Sequence, residues 1–249
     1  MNSALMVMWG RQVKEYFRNR QRLVVTLVQP TLFLIAFSFG IGSMFEQAGR
    51  GNYIQFLIPG IVGMTILMSS AMTGMSLIWD KQFGFLKETL VAPVSRTSLL
   101  FGRCLGGATT SFIQGLIVLL LGFFMGFRVA DWALFPFALA VMFTIALLFN
   151  LLGTSLATKF DDMHSFPTIM NFVIMPMVFI SSALFPVDNF PRLIKIAVNI
   201  NPFTYCNDLL RYTLGSVAVQ GLFLDLAVVS LLVLLLGALG TYLFNRLET

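Results

Sequence analysis

The sequence predicts an all-α polytopic membrane protein. Six transmembrane helices are expected, with an amphipathic interfacial helix ahead of them. A short cytoplasmic helix should lie between the second and third spans, and short outer re-entrant helices before the last. Three observations carry this. Of 249 residues, 57% are hydrophobic and 11% charged, with a mean hydropathy of +0.86. A soluble domain carries about 25% charged residues, so this chain lacks the charge to cover a water-facing surface. Six charge-free runs follow at residues 23–45, 53–79, 104–127, 132–158, 165–187 and 226–245, each near the ~20 residues a bilayer crossing needs. The runs show no alternation of polar and apolar residues, as Leu116–Phe127 (LIVLLLGFFMGF) illustrates, so they are helices rather than barrel strands. One membrane domain accounts for residues 1–249.

The elements can be justified in order. Residues 1–22 form the interfacial helix: Leu5, Trp9, Val13, Tyr16 and Phe17 recur at helical spacing, while Arg11, Lys14, Glu15, Arg18 and Arg22 line another face. Such a helix lies with its aromatic side in the acyl boundary, as an anchor or as part of a cytoplasmic contact surface. The first run is too long, and too late after a basic helix, for a cleaved signal peptide. Residues 80–103 break the greasy pattern with FGFLKETLVAPVSRTSLLFGR. Phe83, Leu86 and Leu90 make a short apolar stripe, Pro93 ends that helix, and Ser95 caps the next. A short helix of this kind can rest on lipid or lie in a groove on another protein.

Within the spans, GRCLG (102–106) and GFFMG (122–126) have the small-xxx-small spacing that lets helix backbones approach. Pro30, Pro59 and Pro176 mark kinks. Gln114, Asn150 and Asn171 sit mid-span, either bonding between helices or lining a substrate path. Residues 188–221, punctuated by Pro191 and Pro202, read as short helices in or on the outer leaflet, with 192–200 too short to span.

Six spans put both termini on one side. That side collects eleven Lys and Arg (Arg11, Lys14, Arg18, Arg20, Arg22, Lys81, Lys87, Arg96, Arg103, Lys159, Arg246), against five on the other (Arg50, Arg128, Arg192, Lys195, Arg211). The positive-inside rule makes it the cytoplasm. The +5 net charge is then topological and calls for no nucleic acid. None of the six runs contains an ionisable residue, which removes the usual means of tapping an ion gradient. No lysine follows a glycine, so the chain lacks the G-x-x-x-x-G-K-[ST] phosphate cradle. His164 is a lone loop histidine, and Cys104 and Cys206 fall at opposite faces. Neither a metal set nor a catalytic set emerges, and the chain is not expected to be an enzyme.

From Trp79 the sequence WDKQFGFLKETLVAPVSR resembles the cytoplasmic loop of type-2 ABC exporter permeases, closest to the daunorubicin-resistance and nodulation-factor export branch. Lys81 stands where that pattern has arginine, Gln82 where it has glutamate and Thr89 where it has a hydrophobic residue; the family's role is not carried to Gln82. The resemblance implies a coupling helix gripped by a separate ATPase subunit through Asp80, Phe83, Gly84, Phe85, Leu86, Lys87, Glu88, Leu90, Pro93 and Arg96. It likewise implies that Asn201, Pro202, Phe203 and Tyr205, with Asp208 and Arg211, form an outer gate. By the same resemblance two copies of the chain pair in the inner membrane above two ATP-binding subunits, which hold ATP and Mg²⁺. This chain then needs no cofactor of its own. The expected cargo is amphipathic or lipid-linked: a drug, lipid or glycolipid. The alternative is a self-sufficient channel or facilitator, for which charged pore linings are missing.

Overall fold

A computed structural model describes residues 2–18, 20–47, 52–91, 94–187, 190–215 and 221–246, and all of their regular structure is helical. The helices are α1 (Asn2–Arg18), α2 (Arg20–Gln47), α3 (Tyr53–Met72), α4 (Gly74–Gln82), α5 (Phe85–Val91), α6 (Arg96–Phe124), α7 (Phe135–Ala157), α8 (Ser165–Phe179), α9 (Arg192–Ile200), α10 (Pro202–Gly215) and α11 (Leu222–Asn245). Four helical stretches are long and apolar enough to cross a membrane: α3 running on into α4, α6, α7 and α11. The described apolar part of α2, Leu27–Gly40, and α8 are shorter. The expected fifth span is thus cut back. At about 1.5 Å per residue, the 15 residues of α8 reach only ~22 Å. Residues 180–187 leave the helix, with Ser181 and Val178 closing its end.

Helix boundaries differ from the apolar runs wherever a polar residue can be satisfied inside the bundle. The third span does not begin at residue 104. Ser95 accepts a hydrogen bond from the Ser98 N–H at 3.3 Å and starts α6 at Arg96, so Arg103 lies inside a helix. The second span runs past Trp79 to Gln82, interrupted only at Thr73, whose hydroxyl turns back to Ser70. The α11 helix begins four residues ahead of its run and takes in Asp225.

Cross-connections define two ends of the bundle. At one, here called the near end, Arg96 donates to the Asn245 carbonyl (2.8 Å) and Lys81 to the Thr158 carbonyl (2.8 Å). At the far end Ala130 bonds Leu214 (3.0 Å), Tyr53 bonds the Leu184 carbonyl (3.0 Å), and Asn201 donates to the Met177 carbonyl (2.7 Å). The core between them is built chiefly from α3, α6, α7 and α10. Of the expected short outer helices, α9 matches 192–200 and leaves Leu193, Ile196 and Ile200 exposed. Its neighbour α10 is instead buried against α3, α7 and α11.

Candidate functional site

The near end is organised by the segment joining α4 to α6. Phe83 closes α4, its N–H bonding the Trp79 carbonyl at 3.0 Å, and its ring lies 5.4 Å from that of Trp79. Gly84 follows at φ +79°, a left-handed conformation that a side chain resists, and reverses the chain into α5. This corrects the expected stripe. Phe83 belongs to the end of α4 and is 60% exposed, whereas Leu86 is only 6% exposed and faces the core; the Leu90 side chain and Pro93 lie outside the described residues. Trp79, Phe83, Phe85 and Val91 instead form an exposed apolar surface, beside exposed Lys87 and Glu88. A large apolar patch with polar neighbours at the end of a bundle is the usual mark of a partner surface.

Three residues next to that surface tie it to the rest of the bundle. Asp80, expected among the contacting residues, is turned inward and 5% exposed. Its carboxylate accepts from the Arg11 guanidinium at 2.8 Å and from Arg103, which is 3% exposed and also donates to Ser76 Oγ at 3.1 Å. One acid therefore joins α1, α4 and α6. Lys81 reaches the end of α7, where its ammonium donates to the carbonyls of Thr158 (2.8 Å) and Phe160 (3.1 Å) and pairs with Asp161 (3.2 Å). A cation at a helix C-terminus neutralises the partial negative charge of its free carbonyls. Gln82 donates to the Asp161 carbonyl at 2.7 Å, so an amide serves in holding the 158–164 loop. Asp162 begins α8: it accepts from the His164 N–H (3.0 Å), the Ser165 N–H (2.9 Å) and the Ser165 hydroxyl. Arg96 is held by the end of α11.

Helix α1 has one side against the bundle and leaves Trp9 and Phe17 at the surface. It packs along α6, where Gly102 and Gly106 leave room for it: a Cβ on Gly106 would stand 2.6 Å from that of Gln12, and one on Gly102 2.9 Å from that of Met8. The GRCLG spacing thus has a partner, the interfacial helix. The second such motif behaves otherwise, since Gly122 faces the Ile58 side chain and Gly126 is a turn residue at φ +97°. Trp9 donates to Thr109 at 3.0 Å, Tyr16 is buried, and Phe17, Lys14 and Arg18 remain exposed.

Between α1 and the α3–α4 wall runs a crevice in two reaches. The outer, about 460 Å³, opens beside Phe83 and Phe85 and passes Arg11 and Asp80. The inner, about 260 Å³, extends to Gln114 and Asn171. Gln12, Glu15 and Ser76 border both. Asn150, expected with Gln114 and Asn171, is fully buried behind it, donating to the Ala146 carbonyl (3.0 Å) and accepting from Thr73. The polar lining from α1 was missed by sequence reasoning, which passed over Gln12 and read Glu15 only as part of the charged face of the helix. The Asp80–Arg103 pair was missed too; its signal is an acid and a base, each abutting an apolar run.

At the far end Asn201 caps α10 by accepting from the Phe203 N–H at 3.0 Å, with Pro202 at the first helical position. Phe203 meets Phe149 edge-on at 6.1 Å, and Tyr205 donates to the Asn199 carbonyl. Arg211 stands 3.7 Å over the Phe56 ring and donates to the Ala183 carbonyl at 3.1 Å. Asp208 is buried against Asp225 of α11. The element expected to gate is thus packed deep in the bundle, and ionisable groups do enter it.

An apolar helical bundle with four helical stretches long and apolar enough to cross a bilayer, an exposed apolar surface at one end and a polar crevice behind it has the build of an integral membrane protein. The model for the ABC-2 type transporter family matches residues 3–214. The chain belongs to that family. It is 31% identical over 211 residues to a putative transport permease, ycf38, of Cyanophora paradoxa, covering 80% of this chain and 71% of that one. The inner membrane transport permease YadH of Escherichia coli (strain K12) is 28% identical, over 84% and 82% of the two chains. Nodulation protein J of Rhizobium leguminosarum bv. trifolii is 25% identical, over 74% and 71%.

Proposed function

We propose that the chain is the membrane subunit of an ATP-driven exporter, coupled to a separate ATP-binding subunit through the near-end surface of Phe83, Phe85, Lys87, Glu88 and Val91. Two copies of the chain and two ATP-binding subunits form the working unit in the inner membrane, both termini are cytoplasmic, and ATP and Mg²⁺ are bound by the partner. The cargo is an amphipathic or lipid-linked molecule, and the Asn201–Tyr205 end of the bundle is its outer gate. One observation carries the reading: the exposed surface is not a free loop but is bonded directly to α1, α6 and α7 through Asp80 and Lys81. A push on it moves the helices that wall the crevice. Two relatives named as transport permeases, one of them of the inner membrane, support it.

The test is to co-purify the chain with the ATP-binding protein encoded beside it and measure vanadate-sensitive ATP hydrolysis. Phe85→Ala, and separately the exchange Lys87→Glu with Glu88→Lys, are expected to reduce complex recovery several-fold. Unchanged recovery and unchanged hydrolysis in both variants would overturn the coupling. Cargo flux in liposomes holding only this chain would favour the self-sufficient facilitator.

A further inference from the structure

The inner reach of the crevice has an asymmetric chemistry. Three of its wall threonines have hydroxyls whose protons are already committed, whereas Ser69 accepts from Ser111 Oγ at 3.0 Å and keeps its own proton. Thr65 Oγ1 donates to the Ile61 carbonyl at 2.8 Å, Thr110 Oγ1 to the Gly107 carbonyl at 2.8 Å, and the Thr73 hydroxyl back into its own helix. Such back-bonded hydroxyls present lone pairs to the cavity rather than protons. Glu15 adds carboxylate oxygens where the two reaches meet. Among the described residues, no Lys, Arg or His lines the inner reach. The nearby guanidinium of Arg11 faces the outer reach and is bonded to Asp80. The wall is therefore rich in acceptors and poor in cations, with only the amides of Gln12, Gln29, Gln114 and Asn171 able to offer N–H groups. About 260 Å³ holds roughly eight or nine waters at ~30 Å³ each, and falls below the ~300 Å³ where pockets for whole drug-sized ligands begin.

We infer that the inner reach receives the head group of the transported amphipath, and that it selects heads bearing hydrogen-bond donors, hydroxyls above all, over acceptor-only and anionic ones. This rests on the permease reading and names its substrate class. A hydroxyl-bearing head meets the idle lone pairs and can still accept from the amides. Among the described residues lining the inner reach, a sulfate or phosphate head finds no cation to offset its lost hydration, and burying a charge without a partner is heavily unfavourable. The apolar tail stays outside the inner reach, which is too small for it.

The experiment uses three photoreactive probes sharing one diazirine-bearing octyl tail, with a glucose, a permethylated glucose or a sulfate head. Labelling of the purified full chain in phosphatidylcholine nanodiscs is mapped by peptide mass spectrometry. The glucose probe is expected to label peptides around Met68 and Thr110, which border the inner reach, at least fivefold more than either of the others. Gln114→Leu should reduce that label several-fold, Gln114→Asn should restore part of it, and Asp131→Asn at the far end should leave it unchanged. Equal labelling by the glucose and permethylated heads would overturn the inference in the unaltered protein, before any variant is made. So would labelling by the sulfate probe as strong as that by glucose. Because no ATPase is present, either result leaves the coupling reading standing. Loss of coupling with head selection intact would sink only that reading.

Discussion

Asp80 carries two cationic partners, the buried Arg103 and the partly exposed Arg11. Removing one member of a buried pair strands the other, at a cost of about 3–5 kcal/mol. Asp80→Ala should therefore lower stability by about that much, read by thermal unfolding in nanodiscs. Adding Arg103→Met should recover part of the loss, because no buried charge is then left without a counter-charge. A double variant as unstable as the sum of the singles would mean that the two residues act independently. Lys81 makes charge-assisted bonds worth about 1.5–3 kcal/mol in comparable settings, and its side chain is 14% exposed. Lys81→Met is expected to loosen the 158–164 loop, seen as faster hydrogen exchange at 158–164 with little change elsewhere. Asp162 titrates at the start of α8. The Ser165 hydroxyl, with the backbone N–H groups of His164 and Ser165, holds its carboxyl below the ordinary carboxylate range. A depressed folded value means that its contribution is complete above the unfolded value near ~4 and disappears as pH falls through the lower folded one. The difference in Tm between the parent and Asp162→Ala should thus be constant above about pH 5 and close as acid is added. A gap that widens on acidification would contradict the assigned cap.

At the level of elements, α1 shows what a sequence can and cannot disclose. Its helical periodicity and its basic face were legible, and so was the close-packing signal of Gly102 and Gly106. What joins the two is a tertiary fact: α1 finds a groove on α6, which period alone does not disclose. The same limit explains the loop stripe. Spacing placed Phe83 and Leu86 on one face, but the left-handed turn at Gly84 sends them to opposite environments. It also explains the missed charges, since Arg103 and Asp80 become tolerable in the bundle interior only as a pair. The Ser95 cap and helix 192–200 were legible because they depend on neighbours in the chain. Gly106→Leu tests the element-level claim. Its side chain would collide with Gln12, and overpacking of this kind costs about 1–3 kcal/mol. The expected result is displacement of α1, seen as loss of a short bis-maleimide crosslink that Trp9→Cys and Thr109→Cys, at the positions joined by the Trp9–Thr109 hydrogen bond, form on the parent background; failure of the parent pair to crosslink would argue that α1 is not seated on α6.

For the whole molecule, the proposed coupling stands or falls on which end faces the cytoplasm. The near end carries Lys81, Lys87, Arg96, Arg103 and Lys159 beside Arg11, and the far end Arg128, Arg192, Lys195 and Arg211. Arg211 is occupied by the Phe56 ring and backbone carbonyls and Arg103 by Asp80, so neither counts much as a topology signal, and the remaining residues still favour a cytoplasmic near end. The two native thiols aid the measurement, for Cys104 and Cys206 are both buried and offer little background to a bulky reagent. Lys159→Cys and Arg128→Cys each place a thiol at an exposed position, one at either end. In intact cells a membrane-impermeant maleimide should label Arg128→Cys and spare Lys159→Cys, which should react only after the membrane is opened. The reverse pattern would put the Phe83–Val91 surface outside, where no ATP-binding subunit could reach it. Labelling of both would mean that residues 128 and 159 share a side, and that α7 does not cross the membrane.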